Sequence, residues 1–163
     1  MARVLVVGCG CRGLELARAL AADGHAVRGT TRRQERLPEI EAAGAQAALA
    51  DPDRLATMLP HIDGVAVMCW IMGSASGEPD HVAALHGPRL ESMVETLVDT
   101  HVRGVVYEAA GSVDQALLEH GAASVRMAGA RFHMPVEVVD TDPRERTDWL
   151  EAMRAAVARV LAA

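Results

Sequence analysis

The sequence predicts an α/β fold in which a single doubly wound parallel sheet of about six strands lies between two helical layers. Short apolar runs alternate along the chain with segments whose apolar residues recur every three or four positions. The 163 residues, half of them hydrophobic, are enough for one core, so we expect a single domain over residues 1–163. A glycine-rich turn at residues 8–13, between the first strand and the first helix, is typical of this architecture.

Four of the predicted strands occupy the first half of the chain, at residues 3–7, 25–29, 45–50 and 65–69. The helices predicted between them cover residues 12–23, 34–43 and 51–59. Gly24 and Gly44 follow the first two helices, and glycine is the usual residue after a helix C-terminus. Asp51 as N-cap and Pro52 at the first helical position predict where the short third helix begins.

A polar, glycine-rich loop is predicted over residues 73–87, directly after the fourth strand. Pro88 then begins a helix with one apolar stripe, formed by Leu90, Met93, Val94, Leu97 and Val98. Since these positions follow the i, i+3, i+4, i+7 pattern, we expect this stripe to pack on the sheet.

The two remaining strands are predicted at residues 102–107 and 136–139. The helices around them are predicted at residues 112–121, 122–132 and 142–161. Ser112-x-x-Gln115 has the capping-box pattern of a helix N-terminus, and Gly121 is predicted to end that helix. The whole order of elements is that of a Rossmann fold.

The glycine-rich turn predicts a dinucleotide site. Gly8 permits the tight turn, Gly10 lets the backbone approach a pyrophosphate, and Gly13 lets the helix pack close to the strand. Cys11 and Arg12 fill the two positions between Gly10 and Gly13, where free N–H groups at the helix N-terminus attract an anion. The alternative is a glycine-rich turn beside an empty crevice.

The residues after the second strand favour NADP over NAD. An NAD site places an acid about 20 residues beyond the glycines, to bind the ribose hydroxyls. No carboxylate lies between Asp23 and Glu35. The donors found there instead are Thr30, Thr31, Arg32 and Arg33. Hydroxyl and guanidinium groups suit a 2′-phosphate. The alternative is that the arginines are a solvated helix start.

Composition excludes several other classes of function. A net charge of −6 argues against nucleic acid as a partner, and no apolar run approaches the length of a membrane span, so we expect a cytoplasmic protein. The three cysteines lack metal-site or disulfide spacing, so no metal is expected. The chain has no lysine, which excludes a Schiff base. Its small size predicts self-association, most simply as a homodimer.

Two residues are candidates for acid–base chemistry. Glu108 ends the fifth strand at the edge where ligands bind in such sheets, and it is either a general acid or base or a partly exposed carboxylate. His86 lies in the predicted loop after the fourth strand, near the expected nicotinamide position. Its alternative role is that of a solvated loop histidine.

The chain resembles the atypical or extended short-chain dehydrogenases, the epimerase and NmrA-like group. The segments that carry the resemblance are the glycine turn, Gly29-Thr30-Thr31-Arg32, Ala50-Asp51-Pro52 and Arg103-Gly104-Val105-Val106-Tyr107-Glu108. The resemblance implies that Asp51 lies by the adenine amino group and that Cys69 and Trp70 lie along the cofactor. The chain departs from the group because it has no Tyr-x-x-x-Lys pair and no hydroxyl at Ala109 or Ala110, and we expect no C-terminal substrate extension.

Two classes of function therefore remain open. One is an NADP-dependent oxidoreductase acting on a small molecule. The other is a non-catalytic NADP-binding sensor or regulatory module, which needs no substrate. The fold alone does not decide between them.

Overall fold

A computed structural model describes residues 1–163 and contains one six-stranded, all-parallel sheet of order β3-β2-β1-β4-β5-β6. Its strands are β1 (Arg3–Val7), β2 (Ala26–Thr31), β3 (Gln46–Leu49), β4 (Val67–Trp70), β5 (Gly104–Glu108) and β6 (Val136–Val139). The prediction of a doubly wound parallel sheet is confirmed. The chain order reverses between β1 and β4, and this is the point where such sheets open a crevice for ligands.

Helices cover both faces of the sheet, which is why the strands are apolar on both sides. They are α1 (Cys11–Ala22), α2 (Leu37–Ala42), α3 (Leu55–Met58), α4 (Pro79–Leu85), α5 (Pro88–Leu97), α6 (Gln115–Phe132) and α7 (Arg146–Ala162). One core packs α1, α2 and α7 against one face, and the other packs α3 to α6 against the opposite face. No helix combines the length and the apolar character that crossing a membrane requires.

The register of the sheet follows from the alternation of its side chains. Val4 and Val6 point into the α1 and α7 core, and Leu5 and Val7 point into the other core. Val7 of β1 pairs with Trp70 of β4. This pairing brings the ends of these two strands, and the loops after them, to the same edge of the sheet.

The predicted helix stop at Gly121 is wrong, because α6 is a single helix that runs through this residue. A Cβ atom at Gly121 would lie 2.0 Å from the Tyr107 hydroxyl oxygen, so glycine is needed there for packing. The capping box is wrong as well. Asp114 caps α6 by accepting a hydrogen bond from the Ala116 amide at 2.9 Å.

Two further predictions need correction between β3 and α5. The helix predicted at residues 51–59 begins only at Leu55, because the Asp51 carboxylate accepts a hydrogen bond from the Asp53 amide at 2.9 Å in a local turn. The predicted loop 73–87 contains α4, which begins with Pro79 at its first position. β2 also continues to Thr31, two residues past its predicted end.

Candidate functional site

A cleft of about 450 Å³ opens at the carboxyl ends of β1 to β4, and we call it the switch-point cleft. Four segments line it, with Gly8 to Gly13 from the first, Thr30 to Arg33 and Arg36 from the second, Ala50 to Pro52 from the third, and Ile71, Met72, Ser74 to Ser76 and Leu85 from the fourth. Ten of the twelve predicted cofactor residues lie here. The two that do not are Cys69 and Trp70.

The three glycines of the turn occupy three different environments. Gly8 has φ of +95°, and a Cβ atom there would lie 2.5 Å from the Ile71 carbonyl oxygen. A Cβ atom at Gly13 would lie 2.4 Å from the Gly8 carbonyl oxygen, because helix and turn are in close contact. A Cβ atom at Gly10 would meet no protein atom within 4 Å and would enter the cleft. This geometry fits a loop that binds a pyrophosphate through its backbone.

The donors at the end of β2 and directly after it divide into two pairs. Thr30 is buried and its hydroxyl accepts a hydrogen bond from the Gly8 amide at 3.3 Å, so it supports the glycine turn. Thr31 accepts one from the Arg33 amide at 3.1 Å. Arg32 and Arg33 are exposed, line the cleft and have no acidic partner, unlike Arg36, which pairs with Glu39 at 3.0 Å. The cleft therefore has two unpaired guanidinium groups at this end.

The predicted placement of Cys69 and Trp70 along a cofactor is wrong. Both side chains are fully buried in the two cores, on opposite faces of β4. The Trp70 indole N–H donates to the Leu85 carbonyl oxygen at 3.0 Å, and burial raises the pKa of Cys69 to about 12. The residues that reach the cleft follow directly in the chain, at Ile71 and Met72.

Glu108 is fully buried, so the expectation of a partly exposed carboxylate is wrong. Arg12 donates to it from Nε at 3.0 Å and from Nη2 at 2.7 Å, and the Gly73 amide donates to Oε1 at 2.8 Å. The Arg12 guanidinium carbon also lies 5.7 Å from the centre of the Trp149 ring. Because donors surround this carboxylate, it ties three chain segments together and is not free to act as an acid or base.

His86 is fully buried and lines neither cleft, so the expectations of a solvated histidine and of one facing the nicotinamide are both wrong. Its Nε2 lies 3.0 Å from the Met72 carbonyl oxygen, which only accepts, so Nε2 carries the proton. Its Nδ1 accepts from the Tyr107 hydroxyl at 2.6 Å. Burial lowers the pKa of His86. Through its contact with Met72, the His86 side chain joins the end of α4 to the loop after β4.

We expect the free energy of unfolding to fall as the pH drops below about 6.5, in part through His86. Its pKa is lower in the folded than in the unfolded chain, so the unfolded chain binds more protons in this range. The contribution is complete above the unfolded pKa and is lost as pH falls, by at most about 1.4 kcal/mol per pH unit. Urea unfolding at pH 7.5 and at pH 5 measures how much free energy of unfolding is lost between the two pH values. This loss should be smaller for His86→Gln than for the native chain. The exposed His101→Gln is the control, and equal losses in all three would contradict the interpretation.

A second cleft, of about 940 Å³, lies beside the first at the carboxyl ends of β5 and β6, and we call it the polar cleft. Its lining consists mainly of charged and polar residues, together with small ones, and comprises Cys11, Arg12, Glu15, Ser74, Ala110, Gly111, Ser112, Gln115, Asp140, Asp142, Pro143, Arg144 and Arg146. Two ion pairs lie among these lining residues, Arg144 with Asp142 at 2.6 Å and Arg146 with Glu15. The two clefts share only Cys11, Arg12 and Ser74.

Ser74 and Ser112, which were not predicted as site residues, come together from the loops after β4 and β5. The Ser112 amide donates to Ser74 Oγ at 3.1 Å, and the Val113 amide donates to the Gly73 carbonyl oxygen at 3.0 Å. Gly111 has φ of +149°, and a Cβ atom there would lie 2.0 Å from the Gly73 carbonyl oxygen. The two Gly-Ser dipeptides, each just past a buried strand, are the signal from which this contact was predictable.

The sheet, the crevice at its switch point and the glycine turn define a Rossmann-type domain. No protein-family model matches the chain, and no curated protein matches it in sequence. Solved structures do match it. UDP-glucuronic acid 4-epimerase from Bacillus cereus in complex with NAD has a TM-score of 0.67 at 14% identity, over 87% of this chain and 60% of the epimerase.

Two other structures support the same fold. Vestitone reductase from alfalfa (Medicago sativa L.) has a TM-score of 0.64 at 16% identity, over 86% of this chain and 56% of the reductase. BdcA (YjgI) from E. coli has a TM-score of 0.74 at 15% identity, over 94% of this chain and 88% of BdcA. The chain thus shares the Rossmann fold of these three solved structures, which confirms the resemblance at the level of fold. It spans little more than half the length of the epimerase and of vestitone reductase.

Proposed function

We propose that this protein binds NADP(H) in the switch-point cleft and is an oxidoreductase that acts on a small molecule in the polar cleft. The observation that carries the proposal is the meeting of the two clefts at Cys11, Arg12 and Ser74, directly beside the glycine turn. A dinucleotide in the first cleft would extend toward the second, where a substrate has room. The NAD complex of the epimerase, which shares the fold, supports a nicotinamide cofactor.

The residues of the switch-point cleft fit such a cofactor. Gly10 leaves open space where a side chain would stand, and no side chain caps α1, so the amides of its first turn remain available to a pyrophosphate. Asp51 lines the same cleft, and we propose that it lies by the adenine amino group. When bound, the cofactor supplies hydride-transfer chemistry, and the protein's part is to bind and orient.

The preference for NADP rests on Arg32 and Arg33, the unpaired cations of the cleft. Each charge-assisted hydrogen bond to a 2′-phosphate contributes about 1.5–3 kcal/mol. We therefore expect Arg32→Ala or Arg33→Ala to weaken NADPH binding about tenfold or more, with little effect on NADH. Calorimetric titration of both cofactors into each variant measures this difference.

Arg126→Ala is the matched control, because this exposed arginine of α6 lines neither cleft. It should leave both dissociation constants unchanged. A native protein that prefers NADH, or variants that weaken the two cofactors equally, would refute the phosphate-binding role. The two arginines would then be a solvated segment after β2.

The burial of Glu108 favours a second candidate, a non-catalytic NADP(H)-binding sensor. The carboxylate at the end of β5 is occupied by Arg12 and Gly73, and the chain has no Tyr-x-x-x-Lys pair. A screen of NADPH consumption against aldehydes, imines and quinones separates the two. Turnover supports the oxidoreductase, and tight NADPH binding without turnover supports the sensor.

A further inference from the structure

We propose that Ser74 is the ligand-orienting residue of the polar cleft, and that its hydroxyl donates a hydrogen bond to the oxygen of an uncharged carbonyl compound, an aldehyde or a ketone. This inference rests on the proposed function, because it assumes that the polar cleft is the substrate site. It names the substrate class and a positioning residue that the sequence did not indicate.

The location of Ser74 is the first argument. Only Cys11, Arg12 and Ser74 line both clefts, so they surround the place where a substrate would meet a cofactor. The guanidinium of Arg12 already makes two hydrogen bonds to Glu108, and its carbon lies 5.7 Å from the centre of the Trp149 ring. A thiol is only a weak hydrogen-bond donor. Ser74 therefore provides the one strong neutral donor shared by the clefts.

The hydrogen bonds around Ser74 are the second argument. Its Oγ accepts from the Ser112 amide at 3.1 Å, while its own O–H has no acceptor in the protein. The neighbouring Gly73 is held on both sides, by Glu108 at 2.8 Å and by the Val113 amide at 3.0 Å. The oxygen is thus fixed by backbone contacts and its proton remains for a ligand. Because the Ser74 hydroxyl is already held in place, little conformational entropy is lost when it binds a ligand.

The charge at this point defines the class of ligand. Arg12 is neutralised by a fully buried carboxylate that it contacts with two nitrogen atoms, at 3.0 and 2.7 Å. An anionic ligand oxygen gains most from charged donors, whereas a single hydroxyl suits an uncharged acceptor. A carbonyl oxygen is such an acceptor, and Ser74 keeps its proton throughout.

The test places a carbonyl group where the two clefts meet, beside Ser74, and it does not depend on enzymatic turnover. Cys11 is exposed, whereas burial raises the pKa of both Cys9 and Cys69 to about 12, so bromoacetone should alkylate Cys11 selectively. With ¹³C at the carbonyl of the probe, isotope-edited infrared spectra report its stretching frequency, which hydrogen bonding lowers. We expect a lower frequency in the labelled native protein than in labelled Ser74→Ala.

Two further variants exclude a general disturbance of the loop. Ser74→Thr keeps a hydroxyl and should restore the lower frequency. Ser112→Ala removes the neighbouring hydroxyl but keeps its amide, and should leave the native frequency unchanged. An identical frequency in the native protein and Ser74→Ala, or a frequency change in Ser112→Ala as large as in Ser74→Ala, would overturn the assignment.

A calorimetric measurement separates this inference from the proposed function. If the native protein itself does not bind NADPH, the proposed function fails whatever the infrared result. If NADPH binds and the carbonyl frequency is insensitive to Ser74, the role of Ser74 alone fails.

Discussion

Arg12→Ala should lower the free energy of unfolding by about 3 kcal/mol, the lower end of the range for breaking a buried ion pair. The change leaves Glu108, which is fully buried, with only the Gly73 amide as donor. The lower end of this range of destabilisation applies because the Arg12 side chain is 24% exposed, so that water from the clefts can enter the space it leaves. Urea unfolding followed by circular dichroism measures the loss.

The control for this prediction is Arg144→Ala. The Arg144 side chain is 89% exposed and pairs with Asp142 at 2.6 Å, so its removal should leave the unfolding curve unchanged. The double variant with Arg12→Leu and Glu108→Leu should recover part of the lost stability, because no buried charge is left unpaired. Equal stability of Arg12→Ala and the native protein would show that the pair contributes nothing to the fold.

Gly10→Val should weaken NADPH binding at least about 100-fold, equivalent to about 2.7 kcal/mol, while the fold stays intact. A Cβ atom at Gly10 meets no protein atom within 4 Å, and the residue has φ of −75°, which valine adopts without strain. The side chain would instead occupy the space in which a pyrophosphate approaches the backbone. Calorimetric titration with NADPH measures the affinity, and the thermal midpoint reports the fold.

Gly13→Ala provides the contrast. A Cβ atom there would lie 2.4 Å from the Gly8 carbonyl oxygen, so the helix and the turn would have to separate. We expect a clear loss of stability for Gly13→Ala and none for Gly10→Val. If Gly10→Val retained native affinity with an intact fold, the dinucleotide assignment of the turn would be wrong.

Much of the fold was predictable because it depends on local patterns. Buried parallel strands need short apolar runs, and Val4 to Val7 provide one at the position that the sequence indicates. The order of the elements then follows from their alternation. The glycine turn was predictable from the fixed spacing of Gly8, Gly10 and Gly13 between a strand pattern and a helix pattern. The proposed homodimer depends on a second chain and stays a prediction.

The burial of polar side chains depended on tertiary structure. Glu108 is buried because Arg12 reaches it from 96 residues away in the chain, and His86 is buried because α4 forms where a loop was predicted. Gly121 lies within a helix, and position 121 needs glycine because the Tyr107 hydroxyl fills the space beside it. Local patterns determine the period of helices and strands, but not every one of their ends. A polar group is stable inside the protein only when a distant partner satisfies its hydrogen bonds, and only the folded chain determines which partner that is.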